Sequence, residues 1–193
     1  AGGIVISTGT PYTCNGGYAQ RITNTNENTN SGGSHQKMAN TSTDSLTQYV
    51  NLATADENSY EVFADEMQYQ NKQLVYQLIK QDSINPATGS ALDNFYADNQ
   101  NLAIGKLTEV QTSMANYDVM AALQANSSAP VSSIVEQKYQ RANELTLKYM
   151  ADLNYAFTDA EKSDLYNMAN ECPAKGTYVS SSRNLFNVIL HTI

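Results

Sequence analysis

The residues with the greatest capacity for chemistry are a run of carboxylates and two histidines. Asp56, Glu57, Glu61, Asp65 and Glu66 form the densest charge cluster in the chain. Glu57, Glu61 and Asp65 recur every four residues and would share one helix face, where like charges repel. A calcium or magnesium ion would relieve that repulsion through carboxylate oxygens. However, no Asp-x-Asp-x-Asp-Gly loop accompanies the run, and it reads as a solvated face. His35 and His191 have no Cys, Asp or Glu at zinc-ligand spacing. A Ser/His/Asp hydrolase would have to recruit one of them, and no Gly-x-Ser-x-Gly elbow is present. The pairs Gly2-Gly3, Gly16-Gly17 and Gly32-Gly33 lack the strand–loop–helix setting of a phosphate cradle. The expectation is a protein with no catalytic residue, no metal and no cofactor.

Composition narrows the classes further. The 193 residues carry a net charge of −8, only 16% charged side chains, no Trp and 13 Tyr against 4 Phe. Eleven scattered Lys and Arg make no basic stripe, which argues against nucleic acid. No apolar run is long enough to span a bilayer. The chain begins at Ala1 without a basic-then-apolar leader, as a matured secreted protein or an excised fragment would. Few lysines and many Asn, Thr and Tyr fit an extracellular or cell-surface location. Cys14 and Cys172 are either one staple in an oxidising compartment or two unrelated thiols.

The elements that must position these residues divide at about residue 40. Residues 1–40 read as an extended, irregular arm: "AGGIVIS" is a short β-type run, and "TNTNENTNSGGSHQ" is polar and turn-rich. The arm is a flexible linker, or it assembles with a neighbour by adding Ile4, Val5 and Ile6 to a foreign sheet edge. Residues 41–193 follow helical spacing. Leu46 to Leu78 form a first stripe, as one long helix or two broken near "ATADENS". "INPATGS" breaks the pattern, and Ser90 with Asp93 starts a second stripe from Leu92 to Ala121. Two helices of about 35 residues would each reach roughly 50 Å.

Ser133-x-x-Glu136 and Thr158-x-x-Glu161 are capping boxes that open two further helices. The first should bury Ile134, Val135, Ala142, Leu145, Tyr149, Met150 and Leu153. The second carries Leu165, Met168, Ala169 and Cys172, and Pro173 with Gly176 ends it. A last helix has Tyr178, Val179, Ser182, Leu185, Phe186, Ile189 and Leu190 on one face. The expected fold is mainly α: an elongated antiparallel helical bundle with an extended N-terminal arm and a short C-terminal helical hairpin.

The hairpin carries a resemblance. "FTDAEKSDLYNMANECPAKGTYVSSSRNLF" resembles the C-terminal Cys-Pro helical module of secreted, type IX-exported multidomain proteins of Bacteroidetes-type bacteria. Leu165, Met168, Ala169, Cys172 and Pro173 match its first helix end, Gly176 its corner, and Arg183 with Leu185 or Phe186 its second helix. One corner glycine replaces two, and "TYVSSSR" departs from Val-Tyr-x-Ala-Arg. The match covers about 30 residues. It implies export and a surface existence, and it brings no catalytic residues. For an exported chain, an intramolecular Cys14–Cys172 bridge would tie the arm to the hairpin. The rival reading keeps Cys172 as a small buried hydrophobe and leaves Cys14 free or bonded to another chain.

Asp44-Ser45-Leu46 and Asp82-Ser83-Ile84 fit an O-glycan pattern of such bacteria, placing sugar on Ser45 and Ser83. Asn40-Thr41-Ser42 and Asn126-Ser127-Ser128 fit the N-glycosylation rule. The helix-borne tyrosines, each with an apolar body and a polar tip, suit core boundaries or protein and glycan interfaces. The functional expectation is a non-enzymatic extracellular structural or adhesion component, partnered by copies of itself or by neighbouring surface proteins. One alternative is a ligand- or glycan-binding helical module, marked by a concave pocket with convergent Tyr and Asn side chains. Another is a virion or tail structural protein.

Overall fold

The computed structural model describes residues 43–54 and 63–191. The expected arm with Ile4, Val5, Ile6 and Cys14, the histidine His35, the acceptor Asn40 and the acidic residues Asp56, Glu57 and Glu61 lie outside them. The described chain is all-helical: α1 (Thr43–Thr54), α2 (Ala64–Lys80), α3 (Ala91–Asn99), α4 (Ala103–Ala115), α5 (Val119–Ser128), α6 (Ile134–Ala151), α7 (Asp159–Ala169) and α8 (Thr177–His191). A single 3₁₀ turn, Pro173–Lys175, joins the last two. No strand occurs among the described residues.

The first stripe is two helices, α1 and α2, as in the alternative that breaks it near "ATADENS", and the helix of about 35 residues expected of the second stripe is not formed. The second stripe is three helices, and local chemistry explains both breaks. At the first, Gly105 lies so near the end of α3 that a Cβ would meet the Asn99 and Gln100 carbonyl oxygens at 2.4 Å. Only glycine lets α4 start against that corner. At the second, Tyr117 adopts φ 58°. The N–H of Asp118 reaches the Ser113 carbonyl at 2.9 Å and that of Tyr117 reaches Met114 at 3.0 Å. This is a Schellman ending built on a non-glycine residue. Asp118 then caps α5 by accepting from the Ala121 N–H at 3.0 Å. Asp82, at φ 54°, closes α2 with the same pair of bonds, to Ile79 and Leu78.

Both capping boxes form as expected, Ser133 with Glu136 and Thr158 with Glu161. On α6 the buried stripe is Val135, Tyr139, Ala142, Leu145 and Leu147, while Ile134 and Leu153 are exposed. Ile134 opens the helix on its far side and Leu153 lies past its end. The main core gathers Tyr69, Tyr76, Ile104, Leu107, Tyr139, Leu145, Leu165 and Tyr178 from α2, α4, α6, α7 and α8. A second cluster joins α1, α2 and α3 around Val75, Ile79, Ile84 and Leu92.

The Cys-Pro corner is held by hydrogen bonds and charge. The Arg183 guanidinium reaches back from α8 to donate to the carbonyls of Ala169, at 2.5 Å, and Glu171, at 2.6 Å. The Ala169 carbonyl is one that the end of α7 leaves unsatisfied, and Glu171 lies just past the helix. The Glu171 carboxylate takes Lys138 of α6 at 2.8 Å, Lys175 at 3.1 Å and the Tyr178 hydroxyl at 2.7 Å. Burial acts to raise its pKa, but the Lys138, Tyr178 and Lys175 hydrogen bonds outweigh this and hold it low. From α2, the Gln70 amide donates to the Ala174 carbonyl at 3.0 Å.

Beside these contacts the corner carries a covalent bond, because Cys172 is disulfide-bonded. No disulfide joins two described residues. Cys172 has no free thiol, and Cys14, the other cysteine of the sequence, lies outside the described residues.

Gly176 sits at φ 138°, and a Cβ there would lie 2.2 Å from the Tyr139 hydroxyl oxygen. Gly176→Ala is expected to cost about 2–4 kcal/mol by denaturant unfolding. Gly89→Ala should cost only about 1 kcal/mol, because Gly89 shares the positive φ but has nothing within 4 Å of its Cβ position.

A second expectation concerns acid. Glu161 is buried, accepts from Lys148 at 2.7 Å and from the Thr158 N–H at 2.9 Å, and has its pKa drawn down to about 2, chiefly by Lys148. Its stabilisation is complete above about pH 4.5, the unperturbed value, and is lost as pH falls towards 2. Glu161→Gln should cost about 1 kcal/mol at neutral pH and flatten the decline in melting temperature across that interval.

Candidate functional site

The face of α2 that begins at Asp65 continues through Gln68, Tyr69 and Lys72, one helical stripe at spacings of three and four residues. Opposite it stand Asn99, Leu102 and Ile104 from the α3–α4 junction and Ser132, Ser133 and Glu136 from the start of α6. Together they enclose a groove of about 400 Å³. That volume lies in the range of small-molecule sites, roughly 300–1,000 Å³.

Each wall is set by a local feature already described. Gly105 allows the α3–α4 corner that presents Asn99 and Leu102. The Ser133–Glu136 capping box fixes the third wall, where Glu136 Oε2 accepts from the Ser132 N–H at 2.7 Å, the Ser132 hydroxyl at 3.0 Å and the Ser133 N–H at 3.0 Å. That carboxylate is therefore engaged in structure. Asn99 donates to the Phe95 carbonyl at 2.7 Å. Asp65 and Lys72 form no ion pair among the described residues.

Tyr69 differs from the rest of the lining. It is 6% exposed, and its hydroxyl is buried without a hydrogen-bond partner. Its ring lies against that of Tyr139, with centroids 4.7 Å apart. Burial first, then Tyr139 and Glu136, drive its pKa far upward, so the phenol stays protonated. It offers one donor and lone pairs in a water-poor setting. An unpartnered buried hydroxyl costs about 1–3 kcal/mol.

The groove brings together Asp65 and Tyr69, which the sequence singles out only as parts of an acidic run and of a tyrosine series. Lys72, Asn99 and Ser132 carry no sequence signal. Asp65 and Glu66 are not joined by further ligands, and no group of three or more His, Cys, Asp or Glu is placed to hold a metal among the described residues. Ser83 is exposed at the turn after α2, and Ser45 lies in α1. Asn126 does not suit glycosylation. It is buried in α5, and its amide donates to the Gln140 carbonyl at 3.1 Å, where a sugar would have no room.

No family model, curated protein or solved structure matches this chain. The expectations of secretion, surface location and attached glycan thus gain no support from a relative. No helix among the described residues is long and apolar enough to cross a membrane.

Removing the unpartnered hydroxyl should not harm the fold. Tyr69→Phe is expected to leave stability unchanged or to raise it by up to about 1 kcal/mol, measured by urea unfolding. A loss above that size would mean that the hydroxyl has a protein partner.

Proposed function

We propose that this protein is a non-enzymatic recognition module of adhesion type, in which the α2/α4/α6 groove receives a small hydroxyl-rich ligand such as a glycan segment. The observation that carries this reading is the buried, partnerless hydroxyl of Tyr69 at a groove also lined by Asn99, Gln68, Ser132 and Ser133. Neutral hydroxyls and amides that both donate and accept are complementary to sugar hydroxyls, and Leu102 and Ile104 provide apolar contact for ring carbons. The resolved pKa shifts lower carboxylates and raise lysines and phenols, which fixes their protonation states near neutrality. Fixed states suit recognition better than proton transfer.

A second reading, a subunit of a larger assembly, is favoured by a different observation. Tyr117 and Met120, at the α4–α5 junction, are 85% and 77% exposed, and Leu153, just past the end of α6, is 67% exposed. Apolar groups so displayed are common at protein contacts.

An oligosaccharide array, followed by calorimetric titration of the retained sugars, tests the first reading. Binding is expected, with Tyr69→Phe weakening it about tenfold while the fold is kept. Failure of every sugar to bind, together with a concentration-dependent native mass lowered by Met120→Ser, would replace it with the assembly reading.

A further inference from the structure

A second groove, about 420 Å³, lies between the end of α2 and the end of α4, away from the first. Its walls are Gln77, Gln81, Thr108, Gln111, Thr112 and Asn116, with Lys80 as the only charged residue of the lining. No aromatic ring takes part.

Two details indicate what it accepts. The first is Thr108. Three other helical threonines turn their hydroxyl to the carbonyl four residues back: Thr54 to Val50 at 2.8 Å, Thr112 to Thr108 at 3.0 Å and Thr146 to Ala142 at 2.8 Å. Thr108, 3% exposed, does not, and its buried hydroxyl has no partner. The second is an amide pair. The Gln77 side chain donates to Gln111 Oε1 at 2.8 Å. That bond leaves Gln77 Oε1 as an acceptor and Gln111 Nε2 as a donor in the same lining. A peptide unit presents the matching couple, one N–H and one C=O.

We propose that this groove binds a neutral, extended peptide segment through its backbone amides, with the Thr108 hydroxyl and the Gln77–Gln111 pair as the contacts that read it. Amide-to-amide bonding needs no charge on the ligand, in keeping with a lining of four amides and two hydroxyls. Nor does it need an aromatic platform, which a sugar-binding surface would be expected to offer.

The test uses the full ¹⁵N-labelled chain, titrated with an uncharged octapeptide of Asn, Thr, Ser and Gly and separately with maltotriose. The peptide is expected to shift the side-chain NH₂ resonances of Gln77 and Gln111. Gln111→Ala should weaken binding about tenfold and Thr108→Val about three- to tenfold. Thr108→Val should also raise the melting temperature by about 2–4 °C, because it removes an unpartnered hydroxyl. That rise keeps the binding loss from being ascribed to misfolding. The proposal is overturned if the peptide leaves these resonances unmoved, if maltotriose alone shifts them, or if binding survives both substitutions.

Discussion

The close approach of the Tyr139 hydroxyl to Gly176 is the constraint on which the remaining geometry depends. The Tyr139 oxygen occupies the place a Cβ would take, and it accepts the Thr177 N–H at 3.2 Å, at the first residue of α8. The corner after α7 is thereby tied to the middle of α6. Tyr139 also stands between two other rings, Tyr69 on α2 at 4.7 Å and Tyr178 on α8 at 5.2 Å. Three helices are set by one side chain. Because Tyr69 leans on Tyr139, the same contact sets the depth at which the α2 face enters the first groove.

Scarce charge is used at the junctions. In a chain with 16% charged residues, Lys138, Arg141 and Lys148 of α6 reach Glu171, Asp164 and Glu161 on or beside α7. Surface pairs of this kind contribute little singly. Those at the α6–α7–α8 corner share partners, and buried Glu161 also closes a capping box. Arg183 completes the corner by satisfying the Ala169 carbonyl, which α7 cannot satisfy itself, and that of Glu171 just past the helix. In contrast, the second groove is lined mostly by amides and hydroxyls, the first mixes them with Asp65, Lys72 and Glu136, and each has one buried hydroxyl without a partner.

Much of this fold was legible in the sequence, for reasons that residues make plain. Ser133-x-x-Glu136 and Thr158-x-x-Glu161 announce helix starts because the reciprocal hydrogen bonds need only local geometry. Pro173 and Gly176 mark the corner by what their backbones permit. The breaks at Gln100 and Tyr117 were not legible. The first depends on Gly105 meeting the backbone of another helix, and the second on a tyrosine in a conformation usually left to glycine. The grooves were hidden for a related reason. Thr108 and Tyr69 look like ordinary helix residues, and only packing shows that their hydroxyls lack partners. Of the staple read from Cys14 and Cys172, the described residues hold the Cys172 end, which is disulfide-bonded beside the corner's hydrogen bonds and ion pairs.

The central claim is that Tyr69 keeps a protonated, water-excluded hydroxyl beneath the groove, held there by Tyr139. A pH titration of protein labelled at tyrosine ¹³Cζ tests it most directly. The Tyr69 resonance should remain unmoved through pH 10, where an unperturbed tyrosine ionises (about 10), and change only when the fold gives way. Ionisation of Tyr69 near that value with the fold intact would place its hydroxyl in water and contradict the account.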